Sequence, residues 1–318
     1  MFAITDPNKS AITSAAKALI GGALVGIPTE TVYGLAADAE NEAAVARIYS
    51  VKGRPQDHPV IVHIGSVDYL NKWAINIPDY ALKLANEYWP GPMTLILERS
   101  EIAKDFITGG QNTVGLRVPA HLTTLAILED FHKLGGNGLA APSANRFGAV
   151  SPTIAEAVQA ELGKFLDSSR DLIIDGGQSL VGVESTIIDC TGEFPMILRP
   201  GAIIEEMIMI TTGLNTKQNN QPTIRVSGSL DQHYSPKAKI LLNGNASPGD
   251  GFIAIDLLDT PEGAVRLASP GTLEDFARIL YEAFREGDKR GINRIVVIPP
   301  NGDGLAIAIR DRLTRAAR

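Results

Sequence analysis

Short β-branched runs take turns with segments of helical period along most of this chain, and that alternation most limits what it can fold into. The runs "ALVGIP", "VIVHI", "MTLIL", "TVGLRVP", "DLIID", "STIIDC" and "MILRP" read as strands. Between them lie "SAITSAAKALIGG", stopped by Gly21 and Gly22, "EAAVARIYSVK" capped by Asn41, and "PDYALKLANEYW" with Pro78 in its first turn. "LTTLAILEDFHKL" and "TIAEAVQAEL" follow, and all five place apolar residues at helical spacing. This order predicts α/β layers, with several strands short enough to pair antiparallel in a mixed sheet.

The pattern breaks once. Residues 213–236, within "TGLNTKQNNQPTIRVSGSLDQHYSP", are polar and lack apolar periodicity, which predicts a linker between a domain of residues 1–212 and a second of residues 237–318. A length of 318 residues with 44% hydrophobic content suits two cores. In the second unit "KAKILLNG", "GFIAIDL" and "RIVVIPP" read as parallel strands. A helix from Leu273 to Arg285 precedes "GDKRG", and a last helix ends in "AIRDRLTRAAR". Arg310, Arg312, Arg315 and Arg318 there read as a solvated helix end with favourable dipole placement.

Other features exclude function classes. Apolar runs fall far short of the roughly 20 residues that span a bilayer, and the first residues show no secretory pattern, so a cytoplasmic protein without a membrane partner is expected. Cys190 is the single cysteine and sits in an apolar run, which predicts a buried thiol and no internal disulfide. His58, His63, His121, His132 and His233 show no zinc-ligand spacing, so no protein-bound zinc is expected. The motifs GxxxxGK(S/T), GxGxxG and GxSxG are missing. A net charge of −7 argues against a surface that grips nucleic acid throughout, while leaving room for a local basic cleft.

Polar and cationic residues gather where strands end, which is where α/β proteins build ligand clefts. "VKGRPQDHPVIVHI" brings Lys52, Arg54, His58 and His63, and "PTETVYGL" brings Thr31. "NTVGLRVP" brings Thr113 and Arg117; "APSANRFGAVSP" brings Ser143, Asn145 and Ser151; "GVESTII" brings Ser185; "MILRPG" brings Arg199. Several cations among short hydroxyl and amide donors suit a polyphosphate. An arginine inside "VGLRVP" is costly in a core without an anionic partner, so Arg117 is expected to face a cleft.

Taken in order, "PTETVYGL", "KGRP", "HPVIVHI", "WPGPMTLIL", "VGLRVP", "APSAN", "ESTI" and "LRPG" over roughly residues 8 to 205 closely resemble the YrdC/Sua5 family of L-threonylcarbamoyl-AMP synthases. The tail, with "HYSP", "EAFREGDKRGINRIVVIPP" and "GLAIAIRDRL", resembles the extra domain of the longer Sua5 type. The resemblance implies a twisted, open mixed sheet around a large basic cavity, joined to a small Rossmann-like domain. It implies synthesis of threonylcarbamoyl-AMP and pyrophosphate from L-threonine, bicarbonate or CO2, and ATP with Mg2+. The product would pass to the machinery that modifies tRNA to N6-threonylcarbamoyladenosine, with at most weak or indirect contact of this chain with tRNA. It further implies catalytic roles on the phosphates for Lys52, Arg54, Ser143 and Asn145. ATP contacts would come from Arg54, His58, Thr113, Ser143, Ser151, Arg199 and Tyr234, with Tyr234 folding over the cavity, and no metal would be held by protein side chains alone. Thr31, His63, Arg117 and Ser185 would hold threonine, with Arg117 on its carboxylate. Two competing readings are a tRNA or double-stranded RNA binding module using the basic cavity, and a carbamoyl-adenylate handler like the YrdC-like part of hydrogenase maturation proteins.

Overall fold

The computed structural model describes residues 2–217, 224–228 and 234–318. The first part of the chain runs α1 (Lys9–Ile20), β1 (Val25–Ile27), β2 (Gly34–Asp38), α2 (Glu42–Lys52), β3 (Ile61–His63), α3 (Leu70–Trp73), α4 (Asp79–Tyr88), β4 (Met93–Glu98), α5 (Asp105–Thr108) and β5 (Thr113–Arg117). It continues through α6 (Leu122–Lys133), β6 (Leu139–Ala140), α7 (Ala155–Leu162), β7 (Leu172–Ile173), β8 (Thr186–Asp189), β9 (Met196–Arg199) and α8 (Glu205–Thr212). Among the described residues these nine strands form one mixed sheet in the order β7-β1-β2-β6-β3-β5-β4-β8-β9. Strands β2 and β6, and a later strand over Val265–Ala268, were not among the expected runs. The two residues of β6 are strand only because β2 and β3 bond them from either side.

Local chemistry sets the ends that matter. Asn41 caps α2 by accepting the Ala44 N–H at 3.0 Å. Gly53 closes that helix at φ 62°, where a Cβ would meet Arg146 Nη2 at 2.6 Å, and so turns the chain sharply from Lys52 to Arg54. Parallel pairing of β3 with β5 sets His63 opposite Arg117 at the carboxyl ends of both strands. Cys190 is buried, as its apolar run predicts. Among the described residues no helix is long and apolar enough to cross a membrane.

The second sheet comprises β10 (Lys239–Leu242), β11 (Gly251–Ile253), β12 (Val265–Ala268) and β13 (Arg294–Val297), in the order β10-β13-β11-β12 with every pairing parallel. Helices α9 (Leu273–Lys289) and α10 (Leu305–Ala316) pack on each other and on this sheet. Helix α9 outruns the expected end at Arg285, since buried Gly287 lies in its last turn against Ile295. The core of this unit is not its own: Val32, Val150, Val183 and Tyr234 cluster with Phe276, Leu280, Phe284, Ile309 and Leu313. At Gly182, φ 79°, a Cβ would strike the backbone of Ala277 and Arg278 in α9.

Of the expected linker, Lys217 bonds back to Pro195 and buried Val226 packs on Ile96 and Ile187. Ser235 donates its N–H to Gly148 at 3.0 Å. Residues 218–223 and 229–233, His233 among them, lie outside the described residues.

Candidate functional site

Where β3 and β5 end and β8 begins, a cavity of ≈ 470 Å³ opens; Thr31, His63, Arg117, Ser143, Ser185, Arg199 and Tyr234 all line it. Seven of the residues singled out in the sequence therefore meet in one space. At one end Arg117 donates to Thr31 Oγ1 at 2.8 Å and to the Gly91 carbonyl at 3.1 Å, while its Nη2 pairs with Glu30 at 2.7 Å. Thr31 and Thr29 share a hydroxyl contact of 2.9 Å, which fixes the turn after β1 beside the arginine. Both Arg117 and Thr31 are buried, so their geometry is set before any ligand arrives.

At the other end Arg199 donates through Nε to the Ser185 carbonyl at 3.0 Å, through Nη2 to Ser185 Oγ at 3.1 Å, and through Nη1 to the carbonyl of Ser227 in the covering segment at 2.9 Å. Ser185 in turn meets Thr94 Oγ1 at 2.8 Å. Behind this wall Arg54 donates to the carbonyls of Pro59 at 2.8 Å and His58 at 3.4 Å, with its guanidinium 5.6 Å from the Phe147 ring. Burial lowers the Arg54 pKa to about 10 and that of Arg199 in the same direction. Main-chain carbonyls and the Ser185 hydroxyl satisfy these donors without a direct ion pair, so the arrangement favours an incoming anion.

Several residues expected at the site stand away from the cavity lining. Lys52 is 1% exposed and does not line the cavity; its Nζ donates to the carbonyls of Ser143 and Asn145, both at 2.5 Å, and burial pulls its pKa well down. In this state it holds the "APSAN" turn in place. Asn145 is likewise behind the wall, its Nδ2 donating to the Arg146 and Ala149 carbonyls at 2.8 Å each. Ser151 gives its hydroxyl to Glu184 at 2.6 Å. His58 presents its carbonyl to Arg54 and turns its ring edge-on to Phe147, 5.4 Å between centroids. Thr113 lines a neighbouring slot of ≈ 280 Å³ with Ile96, Ile187 and Val226.

Glu184 is a charged residue of the cavity lining that the sequence reading missed. It receives Ser151 on Oε1, and Tyr281 and Arg312 on Oε2 at 2.9 and 2.8 Å. Burial opposes its ionisation, but Arg312, Arg199 and the Ser151 hydroxyl overcome that and hold its pKa down to about 2. The signal was present: a carboxylate in "VGVESTII" is as costly in an apolar run as the arginine in "VGLRVP". Arg312 itself is wholly buried, which corrects its reading as part of a solvated helix end. Ile309, Leu313 and Ala316 share its buried face of α10.

His63 lies opposite Arg117 with its ring in the cavity wall; burial first, then the Arg117 charge, lowers its pKa to about 3. Its folded value lies below the ordinary value of 6.5, so the unfolded chain takes up the proton first and folding stability falls as pH drops from about 6.5 toward 3. The expected result is a His63 ring resonance, assigned against His63→Asn, that stays at its neutral position from pH 8 to pH 5. A titration midpoint near pH 6.5 would contradict a buried neutral imidazole.

Residues 17–201 match the family described as "Telomere recombination" (Sua5/YciO/YrdC), and residues 202–318 match "Threonylcarbamoyl-AMP synthase, C-terminal domain". Threonylcarbamoyl-AMP synthase of Pyrococcus abyssi is 37% identical over 317 residues, covering 93% of this chain and 91% of its own. The enzyme of the same name from Bacillus subtilis is 35% identical over 336 residues, covering 98% and 94%. The crystal structure of P. abyssi Sua5 complexed with L-threonine superposes with a TM-score of 0.88 at 35% identity, covering 99% of this chain and 97% of that one.

Proposed function

This chain belongs to the Sua5/YrdC family, and from that premise we propose that it is an L-threonylcarbamoyladenylate synthase, a nucleotidyltransferase. Its substrates are L-threonine, bicarbonate or CO2, and ATP. The observation that carries this reading is the division of one cavity into two ends. Arg117 with Thr31 and the neutral His63 suits an amino acid, and Arg199, backed by Arg54 and Lys52, suits a phosphate chain.

Threonine's carboxylate meets Arg117 and Thr31, and its neutral amine adds to CO2 to give a carbamate, the amine proton passing to solvent. A carbamate oxygen attacks the α-phosphorus of ATP, a P–O bond forms as the bond to the β-phosphate oxygen breaks, and pyrophosphate leaves. The chain supplies no nucleophile; it aligns the two reactants and offsets negative charge with Arg199 and Arg54. Ser143, Ser185 and Tyr234 complete the wall around the reacting atoms, and Lys52 and Asn145 shape it from behind. His58, Thr113 and Ser151 bear on the nucleotide from just outside the wall, through the Arg54 loop, the adjoining slot and Glu184. Among the described residues no group of three or more His, Cys, Asp or Glu gathers around a cation position, and Glu184 is spent on Arg312, Tyr281 and Ser151. These residues do not fit a resident cation; Mg2+ would arrive with the ATP phosphates. Transfer of the product toward tRNA modification in the cytoplasm is the downstream part of the same reading. Burial of Lys52 and Arg54 weighs against an RNA-binding surface, because a duplex backbone cannot reach them.

The test is pyrophosphate release from ATP in bicarbonate buffer with and without L-threonine. Release is expected to depend on threonine, and Arg199→Ala is expected to lower kcat/KM for ATP about a hundredfold, the value of one charge-assisted contact near 3 kcal/mol. Equal release without threonine would refute the synthase reading.

A further inference from the structure

We propose that Arg312, on the last helix, is a positioning residue for the nucleotide end of the cavity: it holds Tyr234 and, through it, the segment that covers Arg199. The inference rests on the synthase reading above and assigns a task within it to the second domain.

One planar guanidinium works in two directions. Its edge donates through Nε to Glu184 Oε2 at 2.8 Å and through Nη2 to the Glu184 carbonyl at 3.3 Å, while Nη1 meets Asp311 Oδ2 at 2.6 Å. Its face lies 5.4 Å from the Tyr234 ring, which Tyr281 flanks at 5.7 Å with 25° between the planes. Arginine suits this double use, since the fork bonds a carboxylate while the flat face packs on an aromatic ring. Tyr234 is buried, and its hydroxyl occupies the space that a Cβ on Gly228 would need. That same Cβ position lies 3.1 Å from Arg199 Nη1, and Ser227 already accepts from Arg199. Contacts therefore run without a gap from α10 through Tyr234 and Gly228 to the phosphate-facing arginine. Arg117, at the threonine end, has no such dependence, because it takes its partners from Glu30, Thr31 and Gly91.

The test uses the full chain with Arg312→Lys and Arg312→Met. Lysine keeps a charge for Glu184 but loses the planar face; methionine loses both. Calorimetry with a non-hydrolysable ATP analogue and, separately, with L-threonine gives the two affinities. Hydrogen exchange at Ser227, Gly228, Tyr234 and Ser235 reports the cover, and thermal midpoints report stability. In both variants affinity for the analogue is expected to fall about tenfold, a coupling of ordinary size, with faster exchange at the cover and threonine affinity within twofold of wild type. Arg312→Lys is expected to keep most of the midpoint, so it decides the matter even where Arg312→Met folds poorly. Wild-type analogue affinity and cover protection in Arg312→Lys would overturn the proposal, as would a loss for both ligands that tracks the midpoint. If the wild type releases no pyrophosphate with threonine, the synthase reading fails, while analogue binding and exchange still decide the role of Arg312.

Discussion

Arg117→Ala is expected to lower threonine-dependent turnover roughly a thousandfold, about 4 kcal/mol for two charge-assisted contacts to a carboxylate. It is also expected to cost about 3–5 kcal/mol of stability, the usual penalty for removing one partner of a buried ion pair. The second effect follows from Glu30, 7% exposed, which would keep only the Ala120 N–H at 3.1 Å as a hydrogen-bond partner. The two effects separate in a double variant. Glu30→Gln with Arg117→Ala leaves no buried charge, so the urea midpoint should recover while turnover stays low. Turnover that returned with stability would show that Arg117 serves the fold and not the substrate.

Glu184→Ala carries an expected loss of stability of the same size. Arg312 would keep the Asp311 carboxylate, but its Nε and the Tyr281 hydroxyl would face a gap in a wall that admits little water. A penalty of about 3–5 kcal/mol is a large part of the roughly 5–15 kcal/mol that stabilises a typical domain. The pH dependence has a definite sign. Because the folded carboxyl has a pKa of about 2 against the ordinary 4.5, its contribution is complete above pH 4.5 and is lost as pH falls toward 2. His63 adds a loss of the same sign from about pH 6.5 downward, so the comparison needs Glu184→Gln, which leaves His63 alone. Urea midpoints from pH 7 to pH 3 should fall less steeply in Glu184→Gln than in wild type; parallel curves would remove Glu184 from the acid response.

The sequence was legible where hydrophobic period and cost of burial speak. Alternating runs gave the layers, and the all-parallel second sheet follows from strands separated by loops and a helix. Hydroxyls and cations at strand ends gave the cavity, and register did the assembly by setting His63 against Arg117. Strand β6 was illegible because two residues have no period; pairing alone defines them. Lys52 and Ser151 carry the right chemistry, but their partners are a carbonyl pair and a carboxylate distant in the chain, which no spacing reveals, and Asn145 is spent on two carbonyls of its own turn. Arg312 was obscured by Arg310, Arg315 and Arg318 around it, although its spacing from Ile309, Leu313 and Ala316 already marked the inward face of α10.

The shared cluster of Val32, Val150 and Val183 with Phe276, Leu280 and Phe284 bears on how the molecule comes apart. A domain that closed its own core would melt by itself, and a chain with two sheets would show two heat-absorption peaks. Here the second domain borrows apolar surface from Val32, Val150 and Val183 of the first, and Gly182 lets the chain ahead of β8 lie against the α9 backbone where any side chain would separate them. Heating should therefore give one peak whose calorimetric enthalpy equals the van't Hoff enthalpy, with both sheets lost as a single cooperative unit.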